Sequence, residues 1–254
     1  MIYLEIMIGL IGAAIGSFLN VCILRLPAGE SLVLPASHCP KCNYSLKFYD
    51  NIPIVSYLVL RGKCRNCRKA ISLQYPLVEL LTAIMALLLF WKFGLNLKLL
   101  FSFIFTCSLI VITFIDLEHQ IIPDIITLPG IPICYLMAAF AMGIPWLEAA
   151  LGLLIGGGIL YAIALGYELI RKAEGMGGGD IKLLAMLGAF YGWKSLFFIL
   201  FVSSFLGAIV GLTVMLVKGK DMKYAVPFGP FLSVAAIAYI FWGDNFIQLF
   251  LIRH

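Results

Sequence analysis

Two aspartates, Asp116 and Asp180, lie where apolar segments meet short loops, and their placement suits acid–base chemistry. A carboxylate at the edge of membrane hydrocarbon is costly to keep, so it is by default a candidate for function. If two carboxylates come within a few ångströms, repulsion leaves one protonated and the other ionised. The ionised group can then take a proton from a water that attacks a peptide carbonyl, while the protonated group stabilises the carbonyl oxygen. The pair therefore indicates aspartyl proteolysis, which needs no metal.

Three glycines, Gly177, Gly178 and Gly179, directly precede Asp180. Glycine adopts backbone conformations that other residues avoid, and it lets another segment approach closely. We therefore predict that this loop supports the position of Asp180. Two plainer interpretations are a flexible loop in which Asp180 caps the next helix, and an anion-binding loop. The second is disfavoured because no GK[ST] follows the glycines and Asp180 would repel an anion.

The segment that follows Asp116 holds three more titratable residues. Asp124 comes directly after Pro123 and is predicted to be the N-cap of the next helix. Glu118 and His119 are alternatives for a proton relay. If the preceding helix ends at Asp116, both lie in a solvated turn, and this interpretation is favoured.

Four cysteines have the spacing of a metal site. They form two C-x-x-C pairs separated by 21 residues, namely Cys39 with Cys42 and Cys64 with Cys67. Four thiolates close a tetrahedral zinc site with no open position, so we predict one structural zinc per chain. Such a metal would stabilise a loop of about fifty residues that has few apolar clusters. Redox chemistry is the disfavoured alternative, and His38 is predicted to be an exposed spacer.

The elements that must position these residues are membrane helices. Of the 254 residues, 63% are hydrophobic and 12% charged, and the mean hydropathy is +1.05. Such a chain has too little polar surface to coat a water-soluble globule. Segments long enough to span the membrane are 3–24, 75–93, 99–115, 125–142, 149–170, 196–217 and 225–242, and the short segment 181–193 is counted as an eighth. The sequence thus predicts an all-α polytopic membrane protein with about eight transmembrane helices.

The distribution of Lys and Arg predicts the orientation. Fourteen of the 18 lie in loops on one side, eight of them between residues 25 and 74. By the positive-inside rule this side is cytoplasmic and carries both aspartates and the cysteine loop. Contact with anionic lipid heads explains the basic loops, and no nucleic-acid partner is predicted. The predicted domains are a first transmembrane helix at 1–24, a cytoplasmic zinc-binding domain at 25–74 and a transmembrane peptidase domain at 75–254.

The first helix carries small and polar residues that favour contact with another helix. Gly9, Gly12 and Gly16 recur at helical spacing, which favours close helix packing. Ser17 and Asn20 follow them. Hydrogen bonds from these two side chains to a neighbouring helix are at least as plausible as a catalytic role.

Several segments together resemble the bacterial type IV prepilin peptidases. They are GSFLNV, HCPKCN, NIPIVSYLVLRGKCRNC, QYPLVELLTA, IDLEHQIIPD, the G-x-GD motif at 177–180, and PFGP at 227–230. The resemblance covers nearly the whole chain and implies an inner-membrane aspartyl protease. By position it assigns the catalytic pair to Asp116 and Asp180 and the zinc ligands to the four cysteines. Asn43 stands where many relatives have glycine, and because asparagine tolerates a left-handed backbone, we expect little consequence.

The resemblance also implies substrates and a second activity. Members of this family remove the basic leader from type IV prepilins and type II secretion pseudopilins at the cytoplasmic face. Many also N-methylate the new N-terminus with S-adenosylmethionine, although the sequence contains no methyltransferase fingerprint that would assign its binding residues. The expected partners are therefore these substrates and membrane lipid.

Three other functions stay open on the sequence. A proton-coupled transporter usually shows internal repeats, and none is visible here. A presenilin-like protease shares G-x-GD, but its partner aspartate follows a tyrosine, whereas Ile115 precedes Asp116. A non-catalytic zinc-ribbon assembly factor of the pilus machinery would tolerate loss of both aspartates.

Overall fold

Helices make up nearly all of the regular structure in the computed structural model, which describes residues 2–171, 177–218 and 227–250. The α-helices are α1 (Ile2–Arg25), α2 (Val55–Val59), α3 (Gln74–Phe93), α4 (Leu97–His119), α5 (Asp124–Met137), α6 (Trp146–Arg171), α7 (Gly178–Tyr191), α8 (Trp193–Lys218) and α9 (Gly229–Phe250). A π-helical turn, Ala138–Met142, extends α5. The segments 172–176 and 219–226 lie outside the described residues; they hold Lys172, Lys220 and Lys223, three of the fourteen basic residues counted above for the orientation.

Six of these helices are long and apolar enough to cross a membrane. They are α1, α3, α4, α5 with its extension, α6 and α8. In α9 the apolar part is shorter, Gly229–Gly243. Together with α7 these helices match the eight predicted segments, so the prediction of an all-α, multi-pass membrane protein is confirmed.

The chain divides into two compact units, Met1–Val111 and Ile112–His254. In the first unit, α1 packs against α3 through its glycines. A methyl group on Gly16 would come within 2.7 Å of the Glu79 Cα, so only glycine permits this approach. Asn20 Nδ2 donates to the Tyr75 carbonyl at 3.1 Å. Close packing by the glycines and a structural role for Asn20, both anticipated from the sequence, are thus observed.

The segment between α1 and α3 is irregular and is anchored at both ends. Arg25 donates to the carbonyls of Ser31, at 2.8 Å, and Pro35, at 2.7 Å. At the other end, the Ile54 N–H donates to Glu79 Oε2 at 2.7 Å, directly before α2. Ile54 has a φ of 62°, which is unusual for a β-branched residue, so this hydrogen bond helps to hold a strained position.

In the second unit, α7 is the central helix. It contacts α5, α6, α8 and α9, and all nine residues from Leu183 to Tyr191 are buried. A helix of 14 residues is about 21 Å long, too short to cross the hydrocarbon alone. Because its neighbours cover it, α7 is apolar on all sides rather than amphipathic.

Backbone contact fixes α7 against α6. A Cβ on Gly156 would come within 2.6 Å of the Leu184 carbonyl oxygen. A Cβ on Gly152 would collide with the backbone of Gly188, and a Cβ on Gly188 would collide with the backbone of Gly152. Small residues at such crossings allow the close approach that holds membrane helices together. The first turn of α7, which carries Asp180, is therefore held by a closely packed helix.

Candidate active site and metal centre

Asp116 is buried in the last turn of α4. Its side chain is 5% exposed, and its Oδ2 accepts a hydrogen bond from the Gly229 N–H at 3.0 Å. Gly229 is the first residue of α9, where backbone N–H groups have no partner within the helix. One such N–H is thus satisfied by the carboxylate, which in turn gains a donor for its negative charge.

Asp180 lies in the first turn of α7, half-buried, with its Oδ1 shielded from solvent and no protein partner for that atom among the described residues. Burial, and next the negative charge of Asp116, raise the pKa of Asp180 to about 6. The two carboxyl groups are thus close enough to interact electrostatically. The predicted catalytic pairing of the two residues stays a prediction.

Ile122, in the turn between α4 and α5, fills the space beside both aspartates. A Cβ on Gly179 would lie 2.8 Å from the Ile122 Cβ. A Cβ on Gly229 would lie 3.1 Å from the Ile122 Cδ1 and 2.6 Å from the Asp116 Oδ2. Two glycines on different helices therefore make room for one side chain and bring the starts of α7 and α9 toward the end of α4.

The glycines before Asp180 matter because one of them leaves room for a neighbouring segment, not because they adopt unusual backbone angles. Gly177, Gly178 and Gly179 are absent from the positive-φ residues, and Gly178 and Gly179 already belong to α7. The part of the prediction that relied on special conformations is therefore not needed here, whereas close approach of another segment is observed at Gly179. Among the described residues, no atom lies within 4 Å of a Cβ placed on Gly177 or Gly178.

Ile122 and Gly229 were missed as site residues. Gly229 belongs to the PFGP segment, which was noticed only as part of a resemblance, and nothing in the composition around Ile122 distinguishes it from other apolar residues. Contacts between distant segments, rather than a local pattern, identify both.

Two sequence predictions around Asp116 need correction. The helix α4 continues to His119 instead of ending at Asp116, although Glu118 and His119 are exposed as expected. Asp124 is the first residue of α5 and makes no capping bond, because Pro123 occupies the N-cap position. Its carboxylate instead accepts from Lys182 Nζ at 2.7 Å, an exposed ion pair between α5 and α7 that is worth up to about 1 kcal/mol.

The four cysteines of the loop form one cluster. Their Sγ atoms all lie within 4.8 Å of one another, and the Cys39–Cys67 and Cys42–Cys64 separations are each 4.0 Å. These distances exclude disulfides and approach the separation of about 3.8 Å expected for thiolates around a tetrahedral zinc. The cluster can therefore hold a metal ion.

Each C-x-x-C pair sits on the same kind of turn. Cys39 N–H donates to the Tyr44 carbonyl and Cys64 N–H to that of Lys69, both at 2.9 Å. The residue after each second cysteine is left-handed, with φ of 55° at Asn43 and 57° at Arg68. The expectation for Asn43 is confirmed, and its counterpart at Arg68 was not foreseen.

Backbone donors stabilise negative charge on two of the four thiols, Cys42 and Cys64. N–H groups of Cys67 and Asn66 lower the pKa of Cys64 to about 7, and the backbone of Tyr44 lowers that of Cys42. The pKa of Cys67 is instead raised to about 11, since the Lys69 N–H, which lowers it, is outweighed by burial and by contacts with the other thiols. Low thiol pKa values favour the thiolates that bind metals. His38 Nδ1 faces the Ala36 carbonyl at 3.1 Å and is not part of the cluster, as predicted.

A buried acidic residue braces the second cysteine turn. Arg65 Nη2 lies 2.7 Å from Asp50 Oδ1, and the Arg65 guanidinium lies 5.2 Å from the ring centre of Tyr49. This contact fastens the turn Phe48–Asn51 to the region of Cys64 and Cys67.

Comparison with known proteins agrees with this geometry. A profile described as Bacterial Peptidase A24 N-terminal domain matches residues 10–93, and one described as Type IV leader peptidase family matches residues 103–212. Proteins named prepilin leader peptidase/N-methyltransferase are similar over most of their length. The relative from Xanthomonas campestris pv. campestris is 38% identical over 95% of this chain and 92% of its own length. The relative from Pseudomonas putida is 37% identical over 92% of this chain and 89% of its own length.

A further relative of the same name, from Legionella pneumophila, is 36% identical over 98% of this chain and 95% of its own. No solved structure matches the chain. The similarity covers both the half that carries the cysteine cluster and the half that carries the two aspartates. The chain therefore belongs to the type IV leader peptidase family.

Proposed function

We propose that this protein is a membrane aspartyl endopeptidase that removes the basic leader from type IV prepilins and type II secretion pseudopilins. Asp116 and Asp180 are the proposed catalytic residues. The observation that carries the proposal is the buried oxygen of Asp180, which has no described protein partner and lies within electrostatic reach of Asp116. The names of the relatives support the choice of substrate.

The surroundings of the two carboxyl groups suggest separate roles. The Gly229 N–H stabilises negative charge on Asp116, so Asp116 is the proposed base. Asp180 has no such donor on its Oδ1, and its raised pKa, about 6, favours the proton-bearing role.

The reaction then follows the general acid–base scheme. Asp116 takes a proton from water as the water oxygen bonds to the scissile carbonyl carbon, and Asp180 gives its proton to the carbonyl oxygen. The tetrahedral intermediate breaks its C–N bond as Asp116 returns the proton to the leaving nitrogen, and the hydroxyl proton goes back to Asp180. No bond forms between enzyme and substrate, so a single site performs the whole cleavage.

The cysteine cluster is proposed to hold one zinc ion. Cys39, Cys42, Cys64 and Cys67 would fill all four positions, so the metal would stabilise the fold of the loop and leave no position for substrate. This loop remains the proposed domain 25–74, between the first helix at 1–24 and the peptidase domain at 75–254.

We extend the proposal to N-methylation of the new N-terminus because the relatives carry N-methyltransferase in their names. The methyl donor would be S-adenosylmethionine, and its binding residues are not assigned. The distribution of Lys and Arg supports an inner-membrane location with the aspartates and cysteines on the cytoplasmic side.

The test is cleavage of a purified prepilin with a labelled methyl donor present, reading leader removal and label transfer separately. Asp116→Asn and Asp180→Asn should each lower cleavage about 10²- to 10⁴-fold, the range for loss of a general acid or base. Asp124→Asn is the matched control, because Asp124 is near the site but exposed and paired with Lys182. If either catalytic-site variant cleaves as fast as the control, the aspartyl mechanism is wrong, and a non-catalytic assembly role becomes the better explanation.

A further inference from the structure

The short helix α2 presents an apolar stripe that nothing in its own unit covers. Val55, Leu58 and Val59 are all exposed, and their spacing puts them on one side of the helix. Tyr57 lies on the opposite side, where its hydroxyl faces Gly62. The helix is therefore turned outward: its apolar side faces away from the cysteine loop.

The hydrogen bond between Ile54 and Glu79 sets the level of α2 along the membrane span. Helix α3 has 20 residues and is about 30 Å long, so nearly all of it is needed to cross the hydrocarbon. Glu79 is the sixth residue of α3, and its buried carboxylate accepts the Ile54 N–H at 2.7 Å. The start of α2 consequently lies beside the first one and a half turns of a membrane span.

Charge next to α2 has the sign that a membrane surface attracts. Five exposed cations follow the helix within ten residues: Arg61, Lys63, Arg65, Arg68 and Lys69. In this part of the chain only Glu30 and Asp50 are acidic between residues 26 and 73, and Asp50 is paired with Arg65. An apolar stripe followed by a basic cluster is the pattern of a helix that lies in the interface of an anionic bilayer.

We propose that α2 lies within the membrane interface, with Val55, Leu58 and Val59 in contact with lipid acyl chains and the following basic residues at anionic headgroups. The cysteine loop is then held on the bilayer by α2 as well as by α1 and α3. This docking surface is independent of the proposed proteolysis, since it concerns only the unit Met1–Val111.

Photo-crosslinking of the full-length protein in lipid nanodiscs tests the proposal. The photoreactive residue p-benzoylphenylalanine replaces Leu58 or Val59 in the stripe, Tyr57 on the opposite side, or Leu77. Leu77 is exposed in the first turn of α3 and serves as the lipid-facing reference. Monodisperse elution of each variant shows that it is assembled, and mass spectrometry identifies the adducts.

We expect lipid adducts at 58 and 59 in a yield similar to that at 77. At 57 we expect at least about fivefold less, because Tyr57 lies about 160° around the helix from both Val55 and Val59. Replacing anionic phosphatidylglycerol by phosphatidylcholine should lower the yield at 58 and leave that at 77 unchanged. Absence of lipid adducts at 58 and 59, or adducts there only to a second copy or to a prepilin, would overturn the proposal. An unchanged yield at 58 in neutral lipid would overturn the role of the basic residues.

Discussion

Gly179 offers a sharp test of the proposed active site, because its neighbour Gly178 is a matched control. Both residues lie in the first turn of α7, and neither has a positive φ. A Cβ at 178 meets no atom of the described residues within 4 Å, whereas one at 179 would lie 2.8 Å from the Ile122 Cβ. Gly178→Ala and Gly179→Ala therefore make the same chemical change, and only the second one meets an obstacle.

The size of the effect follows from this contact. Carbon atoms pack best at about 3.5–4.0 Å, so a separation of 2.8 Å requires a shift of roughly 1 Å. The obstructing atom is the Ile122 Cβ, which a side-chain rotation does not move, so the backbone of the α4–α5 turn or of α7 has to shift. A displacement of 1 Å in a catalytic arrangement can lower the rate about 10²-fold. Gly178→Ala should keep its activity and gain up to about 1 kcal/mol of helix stability.

The assay is the initial rate of prepilin leader removal by purified protein in detergent, with thermal stability measured on the same samples. We expect Gly179→Ala to lose about 10²-fold in cleavage and to melt below Gly178→Ala, because a forced backbone shift costs about 1–3 kcal/mol. Equal cleavage rates for the two variants would refute the idea that Ile122 fixes the distance between the aspartates. Loss of stability in Gly179→Ala without loss of cleavage would mean that the contact matters for folding only.

Other expected outcomes concern pH, metal and helix packing. The pKa of Asp180 is raised from 3.8 to about 6, so this carboxyl group lowers the free energy of unfolding progressively as pH rises through that interval, by about 3 kcal/mol in total. Asp180→Asn should therefore have a higher melting temperature than the wild type at pH 8. Equal melting temperatures would contradict the burial argument. The purified protein should contain one zinc by elemental analysis and Cys64→Ser less than half of that, whereas Cys107→Ser, outside the cluster, should retain the metal. Gly156→Leu should lower thermal stability by several degrees because its Cβ would lie 2.6 Å from the Leu184 carbonyl oxygen, while Gly158→Leu should not, because a Cβ there has no described atom within 4 Å.

Features that depend on local pattern were predictable from the sequence. The six helices that are long enough to cross a membrane follow from apolar runs, because the hydrocarbon demands a continuous stretch of about 20 residues. The cysteine cluster follows from the two C-x-x-C pairs, because each pair builds its own turn before the pairs meet. The left-handed backbone at Asn43 likewise depends on its immediate neighbours.

Features that depend on contact between distant segments could not be predicted. The central position of α7 arises because four other helices cover it, and an apolar segment of this length gives no sign of which neighbours it will have. The end of α4 was placed too early because a charged residue after an apolar run looks like a boundary, although helical hydrogen bonding continues to His119. The role of Gly229 depends on an N–H group 113 residues away from Asp116 in the chain.

The arrangement of helix ends explains how two acidic groups can be kept at this place. Asp116 lies at the C-terminal end of α4, where the helix dipole disfavours negative charge, but it accepts an N–H from the first residue of α9. Asp180 lies in the first turn of α7, whose N-terminal end also carries partial positive charge. A direct N–H donor thus offsets part of the cost of a negative charge on Asp116, whereas Asp180 has only the partial charge of its own helix end and no described protein donor on Oδ1, so a second negative charge is the costlier one. The site is therefore suited to hold a single proton between two carboxylates, the state that the proposed cleavage requires.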